Sequence, residues 1–308
     1  MTPRVSVIVA TRNRRALLAT ALASIAAQRF RDFEIVVGDD ASDDGTAEWL
    51  RAAHPDVRLV AMQRPVGAAG VRNRALDAAR GEIVAFLDDD DRWHPEFLEA
   101  QVAQLDANPK AELATTGHIE IDASGRVSQP DLRPLLIYAD PLVRLLAECP
   151  IHTMSVVACR RSAFARVGAL DESLSVVHDL DWYLRLVLRG GEHVHCPDVL
   201  VERRVPGGLV HQHRRWFEEE REAHRRVFAV SAVARRHRSL VGASRGLLFA
   251  RVGFAKGDAG FALLRLAEAL MAGPLDVLRI ARLRLTRRMR RGRHDAAETW
   301  NAATVGPR

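Results

Sequence analysis

The fold is decided by the stretch Glu82-Ile83-Val84-Ala85-Phe86-Leu87-Asp88-Asp89-Asp90-Asp91-Arg92-Trp93. Its five successive apolar residues are followed by four carboxylates. An uninterrupted apolar run of this length predicts a strand that is buried on both faces, as in a parallel sheet. The four carboxylates then lie in a turn at the C-terminal end of that strand.

Four adjacent carboxylates repel one another, and this repulsion raises their pKa values unless a positive group joins them. Oxygen ligands alone favour a hard divalent ion, Mg²⁺ or Mn²⁺, which keeps open positions for water and substrate phosphates. The alternative is a solvated acidic turn or the N-cap of a helix that begins near Trp93, because aspartate is favoured there. The surrounding sequence decides between these interpretations.

The first hundred residues alternate between strand and helix patterns. Strands are predicted at 5–10, 33–37 and 57–61, and helices at 14–28 and 68–79. The alternation predicts an α/β fold, a parallel sheet with helices on both faces whose ligands bind beyond the C-terminal strand ends. Polar groups follow three of the strands, namely Thr11-Arg12-Asn13, Asp39-Asp40 and Asp88 to Asp91. We therefore expect these groups to meet in one crevice.

Such a crevice can bind a nucleotide. A carboxylate at Asp39 or Asp40 can accept hydrogen bonds from a base edge, and the loop at 11–13 can line the base and ribose. A metal at Asp90 can hold a diphosphate, helped by Arg72 or Arg74. Neither a three-glycine dinucleotide fingerprint nor a P-loop lysine is present in the sequence.

Four motifs occur in order at suitable intervals: Val5 to Asn13, Asp39 to Thr46, Gly67 to Asn73 and Gly81 to Asp91. Together they resemble the nucleotide-sugar half of the family 2 glycosyltransferases, which are inverting enzymes of the GT-A fold. The resemblance implies a nucleotide-sugar donor, with a UDP-sugar favoured, and Mg²⁺ or Mn²⁺ as the cofactor.

The resemblance also implies roles for individual residues. Asp39 or Asp40 contacts the base, and Asp88 lies near the ribose. Asp90 ligates the metal within the family's Asp-x-Asp signature, with Asp89 beside it in the donor site. Asp40 has an alternative role as a turn residue before Ser42.

A second block follows at Arg166 to Leu174 and Val177 to Leu186. Its later part has helical spacing, and Asp179 in the first turn can simply interact favourably with the helix dipole. The block is similar to the family's Gly-x-Phe-Asp-Glu segment and Glu-Asp motif, which implies that Asp179 is the catalytic base. Leu170 replaces the usual Phe, and His178 replaces the usual Glu beside the base. The histidine bears on acceptor choice or on the pH profile, since histidine titrates near neutrality.

The family often ends its catalytic half with a Tyr-Arg-x-His-like segment near the diphosphate. Arg203-Arg204 and His211-Gln212-His213 match it loosely. Arg203 is therefore a candidate substrate contact, and His211 is a candidate third metal ligand or phosphate contact. His193 and His195 alternate along a predicted strand and are assigned a structural role.

Charge divides the chain. Residues 1–210 contain 24 Lys and Arg against 30 Asp and Glu, whereas residues 211–308 contain 21 against 9. We therefore predict a catalytic domain at 1–210, with a nucleotide-sugar half at 1–100 and an acceptor half at 101–210, and a basic helical extension at 211–308. A helix at 274–293 has one apolar stripe among many arginines, which suits either an anionic membrane surface or packing on the catalytic domain or a second subunit.

Three cysteines without metal spacing disfavour a disulfide framework and indicate a reducing cytoplasm. We find no secretion signal or membrane-spanning run, so peripheral binding to the inner face of the cell membrane is the membrane alternative. Nearly all of the basic residues are arginines rather than lysines, a bias that is typical of a GC-rich bacterial gene.

These observations predict a metal-dependent inverting glycosyltransferase. One alternative is a catalytically silent sugar-nucleotide-binding or scaffold protein, suggested by His178 and the loose match at Arg203. The other is a nucleic-acid-binding protein that uses the basic tail, which the lack of interleaved aromatic residues disfavours.

Overall fold

A computed structural model describes residues 2–128, 140–205 and 212–291, with side chains up to Arg284. By its contacts the chain divides into two compact units, each of which is described by itself. The first comprises Met1–Leu132 and Cys149–Ser231, and the second comprises Arg133–Glu148 and Ala232–Arg308. The predicted boundary at residue 210 therefore differs from this division in two places, since residues 211–231 group with the first unit and residues 133–148 with the second.

The first unit is built on one mixed sheet. Its strands are β1 (Val5–Thr11), β2 (Phe33–Asp39), β3 (Arg58–Ala61), β4 (Ile83–Asp88), β5 (Arg92–Trp93), β6 (Ala111–Asp122), β7 (Val127–Ser128), β8 (Val157–Arg160) and β9 (Glu192–Val205). The strand order is β3-β2-β1-β4-β8-β6-β9-β5, with β7 beside β6.

Helices connect these strands. They are α1 (Arg15–Ala26), α2 (Thr46–Ala53), α3 (Gly67–Ala78), α4 (Phe97–Ala107), α6 (Arg161–Val167), α7 (His178–Leu188) and α8 (His213–Val230) in the first unit, with α5 (Pro141–Glu148), α9 (Ala232–Arg236), α10 (Arg238–Ala255), α11 (Ala259–Ala272) and α12 (Pro274–Arg291) in the second. A 3₁₀ turn at Met154–Val156 leads into β8.

The first four long strands are parallel, as the alternating pattern predicts. β1 lies between β2 and β4, and β3 extends the sheet beyond β2. The apolar runs of β1 and β4 are buried along nearly their whole length, as expected for strands that are covered on both faces. Gly38 in β2 lies so close to α3 that an added Cβ would be 2.4 Å from Val71 Cγ1. A larger residue there would push α3 off the sheet.

The second half of the sheet is mixed. β8 runs antiparallel to both β4 and β6, whereas β9 is parallel to β6. Hence the carboxyl end of β4 faces the segment that leads into β8 as well as the end of β9. This places residues near 153–155 and 203–204 beside the acidic turn.

The second unit consists of helices. Its apolar residues are buried mainly on α5, α10 and the inner faces of α11 and α12, for example Phe249 and Ile280. Within the described ranges, none of the helices combines the length and the apolar character needed to cross a bilayer.

Candidate active site

The strand ends come together as the sequence predicts. Thr11 lies opposite Asp39, and Ala10 lies opposite Asp88, in the register of the parallel strands. The backbone N–H of Asp40 donates a 2.9 Å hydrogen bond to the carbonyl of Thr11. The predicted convergence of these three strand ends is confirmed.

Asp88 is held by distant parts of the chain. Its carboxylate accepts hydrogen bonds from the Arg72 guanidinium and, at 3.0 Å, from Thr153 Oγ1. Its backbone N–H donates to Ser155 Oγ at 3.0 Å. Burial alone would raise the pKa of Asp88, but the charge of Arg72 and the two side-chain hydrogen bonds outweigh burial and lower it. Asp88 therefore carries a negative charge at neutral pH.

Asp91 has a structural role. Its carboxylate accepts a 2.6 Å hydrogen bond from Ser155 Oγ and a 2.8 Å hydrogen bond from the backbone N–H of Arg204. The residue is 2% exposed, and burial together with the negative charge of Asp88 raises its pKa well above the usual range. Asp91 thus fastens the acidic turn to β9 and to the segment before β8.

Asp89 and Asp90 share an ion pair with the guanidinium of Arg14, a contact that the sequence analysis missed. Nη1 of Arg14 lies 3.1 Å from an oxygen of each carboxylate. Thr11 Oγ1 also donates to Asp89 at 2.7 Å. Burial raises the pKa of both aspartates, and for Asp90 the charges of Asp88 and Asp89 add to burial and bring the pKa to about 6. One arginine is therefore too little positive charge for this turn.

The first loop is fixed against the turn after β2. Asn13 has a positive φ of 53°, a conformation that asparagine tolerates better than most residues. Its backbone N–H donates to Ser42 Oγ at 2.9 Å, and its side-chain oxygen accepts from the Asp43 N–H at 2.8 Å. Arg12 is exposed. The binding roles of Thr11, Arg12 and Asn13 stay predictions.

The two aspartates after β2 have different partners. Asp39 accepts hydrogen bonds from the hydroxyl and the N–H of Ser42. Asp40 instead accepts from the N–H groups of Val66, at 2.6 Å, and Gly67, at 3.1 Å. The turn-residue role proposed for Asp40 before Ser42 is therefore wrong, because Asp39 fills it while Asp40 anchors the start of α3. Whether either carboxylate contacts a base stays a prediction.

A chain of side chains links the acidic turn to α7. Arg72 bonds to Asp88 through Nη2, and its Nη1 lies 2.7 Å from His178 Nε2. Burial and the positive charge of Arg72 lower the pKa of His178 to about 3. His178 is therefore neutral at physiological pH and accepts the hydrogen bond of Arg72 at Nε2. The suggestion that it titrates near neutrality is wrong for this environment.

Asp179 follows His178 in the first turn of α7. Its carboxylate is half-buried and accepts a 2.7 Å hydrogen bond from the Leu180 N–H. Burial raises the pKa of Asp179 to about 6, and the negative charge of Asp88 adds to the rise, while this hydrogen bond and Arg72 act in the opposite direction. A carboxylate with this pKa is suited to accept a proton near neutral pH. The catalytic role of Asp179 stays a prediction.

Glu219 on α8 orders the loop before this helix, and the sequence analysis missed it. Its carboxylate accepts hydrogen bonds from the N–H groups of Ser175, Val176 and Val177, at 2.8 to 3.2 Å. Although burial opposes the shift, these bonds together with the Ser175 hydroxyl and Arg215 lower the pKa of Glu219 to about 2. No sequence motif includes Glu219, and the predicted domain boundary at residue 210 assigned it to the basic extension rather than to the catalytic domain.

The remaining predicted residues come from β9 and the segment after it, and those that the structure describes contact protein side chains. Nη1 of Arg203 donates a 2.9 Å hydrogen bond to Glu120 rather than pointing openly into the site, although its charge reaches Asp88 and helps to lower its pKa. His193 and His195 both contact the Thr115 hydroxyl, at 2.7 and 3.0 Å, which fits a structural role. His211 lies outside the described residues.

The acidic turn fits a hard divalent cation. Asp88, Asp89 and Asp91 are each committed to hydroxyl or guanidinium donors, whereas the partner of Asp90 is the shared Arg14. The raised pKa of Asp90 indicates that its carboxylate would gain from a further positive charge. An oxygen donor set of this kind prefers Mg²⁺ or Mn²⁺.

The neutral state of His178 leads to a stability prediction. Replacing it by leucine leaves Nη1 of the largely buried Arg72 without its acceptor, so we expect the free energy of unfolding at pH 7 to fall by about 1–3 kcal/mol. His178→Gln, whose side-chain oxygen can still accept, is the matched control.

The pH dependence has a definite sign. The folded pKa of His178, about 3, lies below the unfolded value of 6.5, so the unfolded state binds more protons between these values. The advantage of wild type over His178→Leu therefore decreases as pH falls from 6.5 towards 4. Urea unfolding at several pH values measures this difference in the free energy of unfolding. A leucine variant as stable as wild type at pH 7 would contradict the contact between Arg72 and His178.

Comparison with known proteins is consistent with this geometry. Residues 6–168 match the family model "Glycosyl transferase family 2". The chain is 30% identical over 183 residues to the Escherichia coli UDP-Glc:alpha-D-GlcNAc-diphosphoundecaprenol beta-1,3-glucosyltransferase WfgD, covering 59% of this chain and 68% of that protein. A match to a Haemophilus influenzae glycosyltransferase, at 28% identity, covers 59% of this chain and 61% of that protein. The chain thus spans about two thirds or less of the length of these curated relatives.

Solved structures share the fold. Staphylococcus aureus TarS 1–349 in complex with UDP-GlcNAc aligns with a TM-score of 0.63 at 20% identity, covering 89% of this chain and 82% of that one. The mannosyltransferase PcManGT from Pyrobaculum calidifontis in complex with GDP-Man and Mn²⁺ aligns with a TM-score of 0.62 at 24% identity, covering 97% and 83%. Together they support a GT-A-like arrangement of the mixed sheet and its helices.

Proposed function

The chain belongs to glycosyl transferase family 2, and on this premise we propose that it is a metal-dependent inverting glycosyltransferase. It would move a sugar from a nucleotide diphosphate to an acceptor hydroxyl. The observation that carries the proposal is the contact chain Asp88–Arg72–His178. It joins the acidic turn, suited to a metal and diphosphate, directly to the helical turn that presents Asp179.

The chemistry follows from these positions. Asp179 would take the proton of the acceptor hydroxyl as the acceptor oxygen forms a bond to the anomeric carbon. The bond from that carbon to the diphosphate oxygen would break on the opposite face, which inverts the configuration. A divalent ion held by Asp90 would supply positive charge for the departing diphosphate.

The other residues position and tune these groups. Arg72 would keep Asp88 ionised near the ribose, and neutral His178 orients Arg72 without adding a charge beside the base. Arg14 holds the carboxylates of Asp89 and Asp90 in place. Glu219 holds the backbone just before α7, the helix that carries Asp179. Such positioning can supply several kcal/mol of the barrier reduction.

A nucleotide panel tests the donor site. We expect UDP or a UDP-sugar with Mn²⁺ to stabilise the protein by about 2.7 kcal/mol at a hundredfold excess over its dissociation constant, read as a rise in Tm. GDP and dTDP with the same ion are the comparisons, and each nucleotide without metal is the control. UDP is favoured because WfgD uses UDP-Glc and TarS binds UDP-GlcNAc. No stabilisation by any nucleotide would contradict the donor-site assignment.

We further propose that α11 and α12 bind the surface of an anionic membrane on its cytoplasmic side. Met271, Leu275 and Leu278 are 76%, 79% and 66% exposed. Arg279 and Arg282 on α12 are exposed as well. Exposed apolar side chains among arginines are typical of helices that lie in the headgroup region. A lipid-linked acceptor like that in the name of WfgD would give such binding a purpose.

Vesicle co-sedimentation measures this binding. The double variant Leu275→Ser/Leu278→Ser should bind vesicles that contain phosphatidylglycerol at least about tenfold more weakly than wild type, because it loses apolar area for insertion. Wild type should bind neutral phosphatidylcholine vesicles weakly, because about 1 kcal/mol per arginine is then missing. Val127→Ser, which removes an exposed apolar residue of the first unit, is the matched control. Equal binding of wild type and the double variant would contradict the proposal.

A further inference from the structure

A second group of possible metal ligands lies in the first unit outside the acidic turn. One ligand atom each from His118, Glu120 and His152 lies within 4.8 Å of the other two. His118 and Glu120 are two residues apart on β6, so their side chains point to the same face of the sheet. His152 comes from the segment before β8, the strand that pairs with β6.

His118 is an unusual residue for the interior. It is 1% exposed, and neither of its ring nitrogens has a hydrogen-bond partner among the described residues. Its Nε2 lies 3.9 Å from a Glu120 oxygen, which is too far for a hydrogen bond. A buried polar group without a partner destabilises the folded state, so its presence needs an explanation. A bound ion between the three side chains would provide one.

Glu120 supplies the negative charge of the group. Its side chain is partly buried, and Nε2 of His118 and Nη1 of Arg203 both approach the same carboxylate oxygen, Oε1. A carboxylate oxygen has two lone pairs, so Oε1 can accept the 2.9 Å hydrogen bond from Arg203 and still bind an ion. An outer contact of this kind holds a metal-binding carboxylate in orientation.

We propose that His118, Glu120 and His152 bind a transition-metal ion, with Zn²⁺ as the best match. Two imidazoles and one carboxylate are ligands that suit Zn²⁺ better than Mg²⁺. Tetrahedral Zn²⁺ with bonds of about 2.0–2.1 Å places its ligand atoms about 3.3 Å apart, so side-chain rotation must bring these three closer by at most about 1.5 Å. The three ligands leave a fourth position for water or for an oxygen of a substrate.

This site is distinct from the one at Asp90 but is linked to the acidic turn by a hydrogen bond from a neighbouring residue. Thr153, the residue after His152, donates to the Asp88 carboxylate. The two sites differ in ligand chemistry, because the acidic turn offers oxygen atoms only. The proposal does not depend on the proposed function, since metal binding can be measured without nucleotide or acceptor.

The test is a titration of the untagged full-length protein with ZnCl₂, followed by isothermal titration calorimetry. One equivalent should bind to wild type, and Co²⁺ in the same site should give the visible absorption of a nitrogen-ligated ion. His152→Ala and Glu120→Gln should each weaken Zn²⁺ binding by at least about tenfold. Both replaced side chains are only partly buried, so the variants should fold.

Two controls separate this site from other histidines and from the acidic turn. His195→Ala removes an exposed histidine of β9, and Asp90→Ala removes the predicted ligand for Mg²⁺ or Mn²⁺. Both should retain the tight Zn²⁺ equivalent and the Co²⁺ spectrum. The proposal is overturned if wild type binds no Zn²⁺ equivalent, if Asp90→Ala abolishes the binding, or if both ligand variants bind as wild type does.

Discussion

Replacing Asp179 by asparagine should lower kcat by about 10²- to 10⁴-fold, because the amide has the shape of the carboxylate but cannot accept the acceptor's proton. Donor binding should persist, since the residues placed in the donor site are unchanged. The measurement is the release of nucleoside diphosphate under saturating donor, with a thermal melt to show that the variant is folded. The assay uses the donor that the nucleotide panel identifies and an acceptor that gives turnover with wild type.

The pH profile gives an independent check on the same residue. The base must be deprotonated, and burial raises the pKa of Asp179 to about 6. The kcat/KM of wild type should therefore fall as pH decreases through about 6. The residual rate of Asp179→Asn should not show this decrease, because the titrating carboxylate is gone. His178 contributes no limb near neutrality, because its pKa is about 3.

A purely structural role for Asp179 leads to a different result. If Asp179 only stabilises the first turn of α7, asparagine loses the charge interaction with the helix dipole, which costs about 0.3–1 kcal/mol of stability and leaves kcat unchanged. An Asp179→Asn variant with the kcat of wild type would thus contradict the assignment and favour the catalytically silent alternative. Asp56→Asn, at an exposed site outside the acidic turn, is the control for a lost carboxylate.

Replacing Asp90 by alanine should abolish metal-dependent stabilisation by the nucleotide and lower the rate by about 10²-fold or more. The reason is the loss of several kcal/mol of charge stabilisation on the departing diphosphate. The measurement is the Tm shift caused by nucleotide with and without Mn²⁺, together with the rate. Without nucleotide, the variant should be at least as stable as wild type, since removal of Asp90 relieves repulsion from Asp88 and Asp89.

The metal dependence should itself vary with pH. A proton competes with the ion for Asp90, whose pKa is raised to about 6, so the apparent affinity for Mn²⁺ should weaken as pH decreases below that value. Asp91→Asn is the informative comparison. It should destabilise the fold, because one carboxylate oxygen of Asp91 accepts from Ser155 and the other accepts from the Arg204 N–H. An amide has only one oxygen, so one of these two hydrogen bonds is lost. A full metal response in Asp90→Ala would contradict the ligand assignment.

The sequence predicts much of the first half of the chain because the signals there are local. Apolar runs, strand spacing and the polar residues after each strand give β1, β2 and β4 and place their ends at one edge. The later strands are harder to predict. β8 is short and lies between β4 and β6 through antiparallel pairs that no periodicity indicates.

Domain limits were also difficult to predict from composition. The basic charge begins near residue 211, yet α8 groups with the first unit, where Glu219 bonds to the loop before α7 and Arg226 bonds to Asp171. Charge patterns report on the surface of a helix, whereas domain membership depends on the residues that its other side contacts. The His118, Glu120 and His152 group was missed for a similar reason, because His152 is 32 positions away from Glu120 in the sequence.

By itself, the sequence determined the strand ends, the acidic turn and the helix that carries Asp179, because each is written in neighbouring residues. Only the tertiary structure distinguished the four adjacent aspartates, which look alike in the sequence. Asp88 forms an ion pair with Arg72 from α3. Asp89 accepts a hydrogen bond from Thr11 of β1, and Asp91 accepts one from Ser155. Asp90 shares Arg14 and keeps a raised pKa. The protonation and metal affinity of a carboxylate depend on burial and on the charges around it, and here those charges come from distant parts of the chain.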